Sequence, residues 1–360
     1  MSTANTDERN LSLQEAGGLV HEDVMDKIYS VSPEDRPFSD AIGSDDSDNH
    51  YKEWVEEVLE AANPDNARID GSDSTGNDSV LGNRFGNYHQ LASKTVRVSD
   101  RGRNVDSIGT SDQLLSQLMR RQKALRRDVE ASLTSNNIAD PGANTTGDAT
   151  GASSCAGLGA WIITNNVGPG DFVAAELSGT TGGFPDTIAV VGTKEAGTEA
   201  NLREAIRLAY MEGGNVTMAM SRPEVIEKMS AYLFTSSARV ATLQSNAAQG
   251  NRTNAGTGNG NSGGGVVAQG SVNLFVGDFA TVELVPNRFQ PESAAGVADL
   301  YLIDTDYWST SFLQGYETKD LARTGLADNR EITVDYTLCS LAERSSAAVR
   351  SLDTTLDWTA

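Results

Sequence analysis

Three histidines, two cysteines and several acidic runs are the residues of this 360-residue chain whose types could do chemistry. Their spacing limits what they can do. His21, His50 and His89 share no spacing with each other or with a cysteine, so they make no zinc site, which needs convergent ligands. Cys155 and Cys339 lie far apart in the sequence and read as two free thiols. Residues 70–78, DGSDSTGND, and the triplet Asp304-Thr305-Asp306 offer carboxylates to a calcium ion. Neither has the spacing or the closing bidentate glutamate of a calcium loop, and both read as acidic turns. Residues 178–183, SGTTGG, are Gly-rich but lack the Lys-Ser/Thr of a phosphate loop, and Gly192-Thr193-Lys194 has the wrong order. There is no G-x-S-x-G elbow. Carboxylate pairs abound because acid abounds. The expectation is therefore a protein that is not an enzyme, with no cofactor and no metal.

Cations are the scarcer resource. The formal charge is −22, from 28 Lys+Arg against 50 Asp+Glu, which excludes sequence-reading DNA binding of the usual cationic kind. Yet Arg120, Lys123 and Arg127 line up on one helical face, with Arg121 and Arg126 on its flanks. Either this is a solvated helix face, or it meets acidic neighbours or nucleic acid. The element that positions them, residues 111–136 (SDQLLSQLMRRQKALRRDVEASLTSN), is the longest helical pattern in the chain. Leu114, Leu115, Leu118, Leu125, Val129 and Leu133 form its apolar stripe, and no Gly or Pro interrupts it. Ser111 or Asp112 is the expected N-cap, Asn136-Asn137 the stop, and the length roughly 39 Å.

The rest of the chain is a mosaic of short elements and polar loops. Residues 1–18 are polar and read as mobile, and 19–29 (LVHEDVMDKIY) as a short amphipathic helix. Residues 28–43, IYSVSPEDRPFSDAIG, carry Pro33 and Pro37 and read as an extended arm. Two apolar flanks, 51–59 and 88–98, bracket a polar tract. The second reads as a strand; the first fits a helix by period or the partner strand of a long hairpin. Such a hairpin has no core of its own and must lie on the rest of this chain or on a neighbouring copy. Residues 138–154 are linker-like, and 161–163 and 188–191 are short buried-strand candidates. A helix over 201–211, a strand over 216–220 and a second helix follow, the last launched by the capping box Ser221-Arg222-Pro223-Glu224. Residues 249–265, QGNRTNAGTGNGNSGGG, read as a flexible loop, and strands are expected over 271–276, 280–285, 299–303 and 331–341. The class is α+β. The N-terminus has no targeting character and no apolar run nears a membrane span.

In order, these parts resemble the major capsid proteins of tailed bacteriophages with the Hong Kong 97-type (HK97-like) fold, specifically the podovirus-type major head protein family. The motifs are IYSVSPEDRPFSDAIG (28–43), LMRRQKALRRDVEASL (118–133), LREAIRLAYMEGGNVTMAMSRPEVIEKMSAYL (202–233), LVPNRF (284–289), DLYLIDTDYWSTSFL (299–313) and REITVDYTLCSLAERSSA (330–347). The resemblance covers about 19–352; the acidic hairpin tip and the 249–265 loop depart from it.

It implies an N-terminal arm (1–44), an extended loop with return strand (45–106), a peripheral domain (107–150 and 298–360) built on spine helix 111–136, and an axial domain (151–297). It further implies an icosahedral head shell of hexamers and pentamers around double-stranded DNA that is held without sequence-specific contact. A portal and a separate scaffolding protein are expected partners, a decoration protein an optional one, and a membrane is not. The place of action is the virion capsid, assembled in the host bacterial cytoplasm. Arg120, Lys123, Arg127, Trp54, Arg68, Tyr88, Pro33, Pro37 and Phe38 are the residues expected between subunits or facing the genome. Lys52 and Lys94 exist, but nothing supports covalent cross-linking. The alternatives are an encapsulin-like nanocompartment shell and, more distantly, an acidic secreted hydrolase or adhesin.

Overall fold

The computed structural model describes residues 25–73, 82–105, 107–142, 151–180, 182–235, 274–323, 325–355 and 358. In chain order the helices are α1 (Pro37–Ala41), α2 (Asp100–Asn104), α3 (Gln113–Leu133), α4 (Leu158–Trp161), α5 (Glu199–Met211) and α6 (Pro223–Thr235). The first strands are β1 (Gly43–Asp46), β2 (Tyr51–Glu56), β3 (Asn83–Tyr88), β4 (Gln90–Ser99), β5 (Asn166–Val167) and β6 (Met218–Ser221). The later ones are β7 (Leu274–Val276), β8 (Thr281–Pro286), β9 (Val297–Ile303), β10 (Trp308–Asp320), β11 (Ala327–Ser340) and β12 (Ala347–Asp353).

The spine helix α3 forms where the apolar period predicts it, with 21 residues, about 32 Å at the α-helical rise. Asp112 caps it, its carboxylate accepting from Leu114 N at 2.9 Å, which satisfies a donor that every helix start leaves open. Thr134 closes the other end, its hydroxyl donating to the Glu130 carbonyl at 2.9 Å. Leu114, Leu125, Val129 and Leu133 are buried, but Leu115 is 52% exposed. Adjacent helical residues diverge by about 100°, so Leu114 and Leu115 cannot both face the core.

Two sheets divide the molecule. The first runs β1-β10-β11-β4, with β1 parallel to β10 and the rest antiparallel. The spine packs on it through Leu125, Val129 and Leu133, against Ile332, Val334, Tyr336 and Leu338. The second runs β5-β12-β9-β6-β8-β7, and its core joins Leu202, Ile206 and Ala209 of α5 to Leu300, Leu302 and Val349. Strands β9 and β12 are buried along their whole length, the polar Asp299, Arg350, Ser351 and Asp353 included. A buried ion pair, Arg350–Asp299 at 3.2 Å, ties these two strands together. Arg350 also donates to the carbonyls of Gly159 (2.9 Å) and Ile162 (2.8 Å), and Asp299 accepts from Ser351 N at 2.9 Å. Only a pair satisfied in this way is tolerable in a core.

Several sequence expectations change. The first flank is a strand: β2 pairs antiparallel with β3, from Tyr51↔Tyr88 to Glu56↔Asn83. Its partner therefore precedes the expected 88–98 strand. That stretch, β4, instead pairs with β11 in the first sheet. The arm is not extended throughout, because Pro37 starts the short helix α1. Residues 25–29 are not helical, while 1–24 and 249–265 lie outside the described residues. Trp161 ends a helical turn rather than a strand. Helix α6 begins at Pro223, which puts Arg222 rather than Ser221 at the N-cap position, and the Ser221 hydroxyl donates to the Asp299 carbonyl at 2.8 Å. Position 298 falls inside β9, so 297–303 and 347–353 share a sheet with β6 and β8, whereas 308–340 lie in the other sheet.

Candidate functional site: an arm clamp and a ribbon base

The arm is held by a carboxylate far away in sequence. Helix α1 has only five residues, and its N-cap, Arg36, makes no side-chain cap bond. Its open donors at Phe38 N and Ser39 N are instead taken by the two Glu130 oxygens, each at 2.9 Å. An anion at a helix start is also where the peptide dipoles favour it. Glu130 is fully buried on the spine and accepts a third bond from Asn287 Nδ2 at 2.8 Å. Asn287 in turn accepts from Phe289 N (2.9 Å) and donates its own N–H to the Ser221 carbonyl (2.7 Å). The Phe289 ring lies 4.8 Å from the Arg127 guanidinium. The 28–43, 118–133 and 284–289 motifs thus meet at one carboxylate.

Upstream of the clamp, the arm follows the spine. Gly109 N donates to Asp26 just before the spine begins, and Lys123 pairs with Glu34 at 2.6 Å midway along it. Phe38 reaches Glu130 near the end. The arm therefore runs in the same direction as α3, with Glu34 laid on the spine's Lys123. Phe38 has no exposed surface and packs edge-on to Trp308 with centroids 6.4 Å apart. It is a core anchor of its own chain, which corrects its placement between subunits.

The β2–β3 ribbon is also anchored at home. Trp54 and Phe85 pack on Trp161 at 5.3 and 6.5 Å, and Tyr88 packs on Tyr51 and Phe184 at 4.5 and 5.1 Å. The backbones of 84–86 and Gly183 exchange hydrogen bonds of 2.9 and 3.0 Å. Gly86 is needed here, because a Cβ would sit 2.5 Å from the Tyr51 ring. Buried Asn87 locks the base, donating to the carbonyls of Leu338 (2.8 Å) and Ala156 (3.2 Å) and accepting from Ala156 N (2.9 Å). Trp54 and Tyr88, expected between subunits, are therefore largely engaged with their own chain.

Beyond the base the picture reverses. Residues 57–73 are exposed throughout, Leu59 by 95% and Ile69 by 83%, and Arg68 among them has no partner. Beneath the base lies a cavity of about 250 Å³ between Glu56, Phe85, Trp161, Leu177 and Glu343. Burial raises both the Glu56 and the Glu343 carboxyl above the usual range.

A single residue, His89, separates the ribbon from β4. It is 3% exposed, its N–H donates to the His50 carbonyl at 2.9 Å, and neither ring nitrogen has a partner. Burial holds its imidazole below the ordinary value, and nearby Asp335 is raised by burial. The fold thus gathers His50, His89 and Asp335, which no sequence spacing connected.

The expected cationic face is split. Lys123 belongs to Glu34 and Arg127 to Phe289, Arg126 lies 5.2 Å from the Tyr316 ring, and Arg120 is exposed and unpaired. Pro33 and Pro37 are half-buried. Sequence reasoning missed Glu130, Asn87 and Asn287. For Glu130 the available signal was an acid at an i, i+3 offset from the buried Leu133, on the apolar side of the helix.

Comparison with known proteins follows this geometry. The profile of the SU10 major capsid protein family matches residues 2–353. A curated relative, the major capsid protein of Escherichia phage Phieco32, is 29% identical over 108 residues; that match spans 30% of this chain and 31% of the relative. The capsid of cyanophage A-1(L) superposes with a TM-score of 0.59 at 12% identity, covering 95% of this chain and 99% of that one. The capsid of cyanophage P-SCSP1u gives 0.53 at 12% identity, covering 96% and 99%. The SrpI encapsulin of Synechococcus elongatus PCC 7942 gives 0.50 at 11% identity, covering 92% and 94%. The architecture shared with these shells is the Hong Kong 97-type α+β fold.

Proposed function

The chain belongs to the SU10 major capsid protein family, and on that premise we propose that it is the repeating subunit of an icosahedral phage head. Copies associate with one another in hexamers and pentamers and enclose double-stranded DNA. The four-stranded sheet with the spine helix is the peripheral domain and the six-stranded sheet the axial one. The observation that carries this reading is the projecting segment 57–73, fixed at an aromatic base yet leaving Leu59 and Ile69 in solvent. Apolar groups on an outlying segment are covered when a second copy lies against them, and obligate shell contacts bury on the order of 2,000 Å² or more. Arg68 and Pro33, with Leu59 and Ile69, are the residues best placed for that contact.

The role is structural rather than catalytic, and the protein resides in the virion after assembly in the host cytoplasm. A portal and a separate scaffolding protein are its assembly partners, and a decoration protein an optional one. The encapsulin-like alternative shares the fold, but no observation favours it over a phage head. Electron microscopy of the purified chain tests the proposal. Rings, capsomers or closed shells are expected; compact monomers at every concentration would overturn it.

A further inference from the structure

In a chain of net charge −22, a cation without a partner stands out. Among the described residues, Arg68, Arg97, Arg101, Arg120, Arg121 and Arg288 have no carboxylate, aromatic ring or carbonyl in contact with the guanidinium. All but Arg68 and Arg288 belong to three elements packed together: β4, α2 and the spine α3. Between these elements runs a groove of about 560 Å³ that Arg97 of β4 and Arg121 of α3 both line. Arg101 and Arg120 do not line it: each stands one position before a lining residue, Gly102 on α2 and Arg121 on the spine, about 100° round the helix, and adds charge at its flank.

The acids around the groove are already engaged. Asp128 is held by Lys94, Asp328 by Arg103 and Arg323, and Asp100 by Arg323. Asp112 is the spine's N-cap. Among the described residues, Glu331, opposite Thr95 in the sheet register, is the neighbouring acid left over. The other polar groups of the wall are hydroxyls and amides, from Thr95, Ser99, Ser107, Gln113 and Gln117. Arginine forks among Ser, Thr and Gln side chains are the groups that contact nucleic-acid phosphates without reading sequence. Val96, Val98 and Val105 supply the apolar part of the wall, and the arginines with the surrounding hydroxyls and amides supply the donors a phosphodiester backbone needs.

We propose that this groove is a phosphodiester-binding site, through which each subunit holds the backbone of packaged duplex DNA. The inference rests on the shell reading and goes beyond it by assigning the contact to Arg97, Arg101, Arg120 and Arg121. The negative charge elsewhere confines DNA to this one strip rather than letting it adsorb along the whole wall.

The test uses the full chain with Arg97, Arg101, Arg120 and Arg121 all changed to Gln, and separately the single variant Arg121→Gln. Binding of a short random-sequence DNA duplex is measured against salt concentration, with inorganic phosphate and a peptide of residues 57–73 as competitors. The wild type is expected to bind the duplex with a steep salt dependence. The fourfold variant should bind at least about tenfold more weakly, with a log–log salt slope lower by about 3–4. Arg121→Gln should lower it by about 1 while keeping the wild-type melting temperature, so misfolding cannot mimic the result. Equal duplex affinity in wild type and both variants overturns the proposal, as does displacement of the duplex by the acidic peptide but not by phosphate. Particle formation is scored separately by microscopy. Normal shells with unchanged DNA affinity refute the groove alone, whereas a wild type that stays monomeric at every concentration, forming neither rings nor capsomers, refutes the shell reading.

Discussion

Replacing Glu130 by Ala strands three buried donors at once: Phe38 N, Ser39 N and Asn287 Nδ2. At ~1–3 kcal/mol for each buried group left unsatisfied, the expected cost of three is about 3–9 kcal/mol, read from urea unfolding midpoints. Glu130→Gln should lie between the two, because its amide oxygen still accepts while its NH2 faces donors. Cleavage of the arm after Phe38 by chymotrypsin should accelerate in the same order; an arm equally resistant in all three proteins would show that Glu130 does not hold it. His89 gives a prediction of a different kind. Its imidazole is held below the ordinary 6.5 by burial, so the unfolded chain takes up the proton first as pH falls. Its contribution is therefore present above about 6.5 and is lost as pH drops through that value toward the folded pKa. Asp335, raised by burial, works in the opposite sense: its contribution is present at low pH and is lost as pH rises through its elevated folded value. Melting temperatures of wild type and His89→Phe should therefore diverge between about pH 7 and about pH 5.5, the wild type falling faster. Parallel curves would exclude titration of this histidine.

At the scale of elements, the ribbon depends on one indole. Trp161→Ala removes the surface on which Trp54 and Phe85 rest, at a cost of about 3–5 kcal/mol for a fully buried tryptophan. Backbone amides of β2 and β3 should then exchange with solvent much faster while those of β4 and β11 stay protected. Uniform loss of protection would mean that the ribbon and the sheet melt as one unit. The helices were largely legible in the chain, because α3 and α5 each show an apolar stripe at one period with a capping residue before it. The ribbon was less so. Residues 51–59 carry Trp54, Val55, Val58 and Leu59 at helical spacing, and only pairing with residues thirty positions away decides for strand. Nor could local pattern show where β3 ends and β4 begins, since His89 is flanked by strand formers on both sides. In the tail, 299–303 and 331–341 read as strands while β10 and β12 did not, and which sheet each joins is a matter of tertiary pairing, as the split between β9 and β10 shows.

At the scale of the whole molecule, two cores and an outlying segment divide the work. The cores make each subunit stable in itself, and the segment is spare. Replacing residues 58–73, exposed throughout, by an Asn-Gly turn should leave the melting temperature nearly unchanged, since exposed surface away from packing contributes within about ±0.5 kcal/mol. The same variant should form no shells by sedimentation or microscopy. Assembly at wild-type yield would remove the segment from any role in joining subunits. Charge and composition pointed to a protein without catalytic machinery, and motif order pointed to the family. The carboxylate that gathers three of those motifs could not be found that way, because its partners lie 91, 92 and 157 positions distant.

That separation also bears on the order of events during synthesis. The arm leaves the ribosome first, yet the grip on it is complete only once Asn287 has emerged and turned its amide onto Glu130. Through most of translation the leading end of a nascent subunit therefore lacks its final fastening. It becomes secured only after Asn287 has been made, so a product terminated before that residue would carry a loose arm into the pool of finished ones.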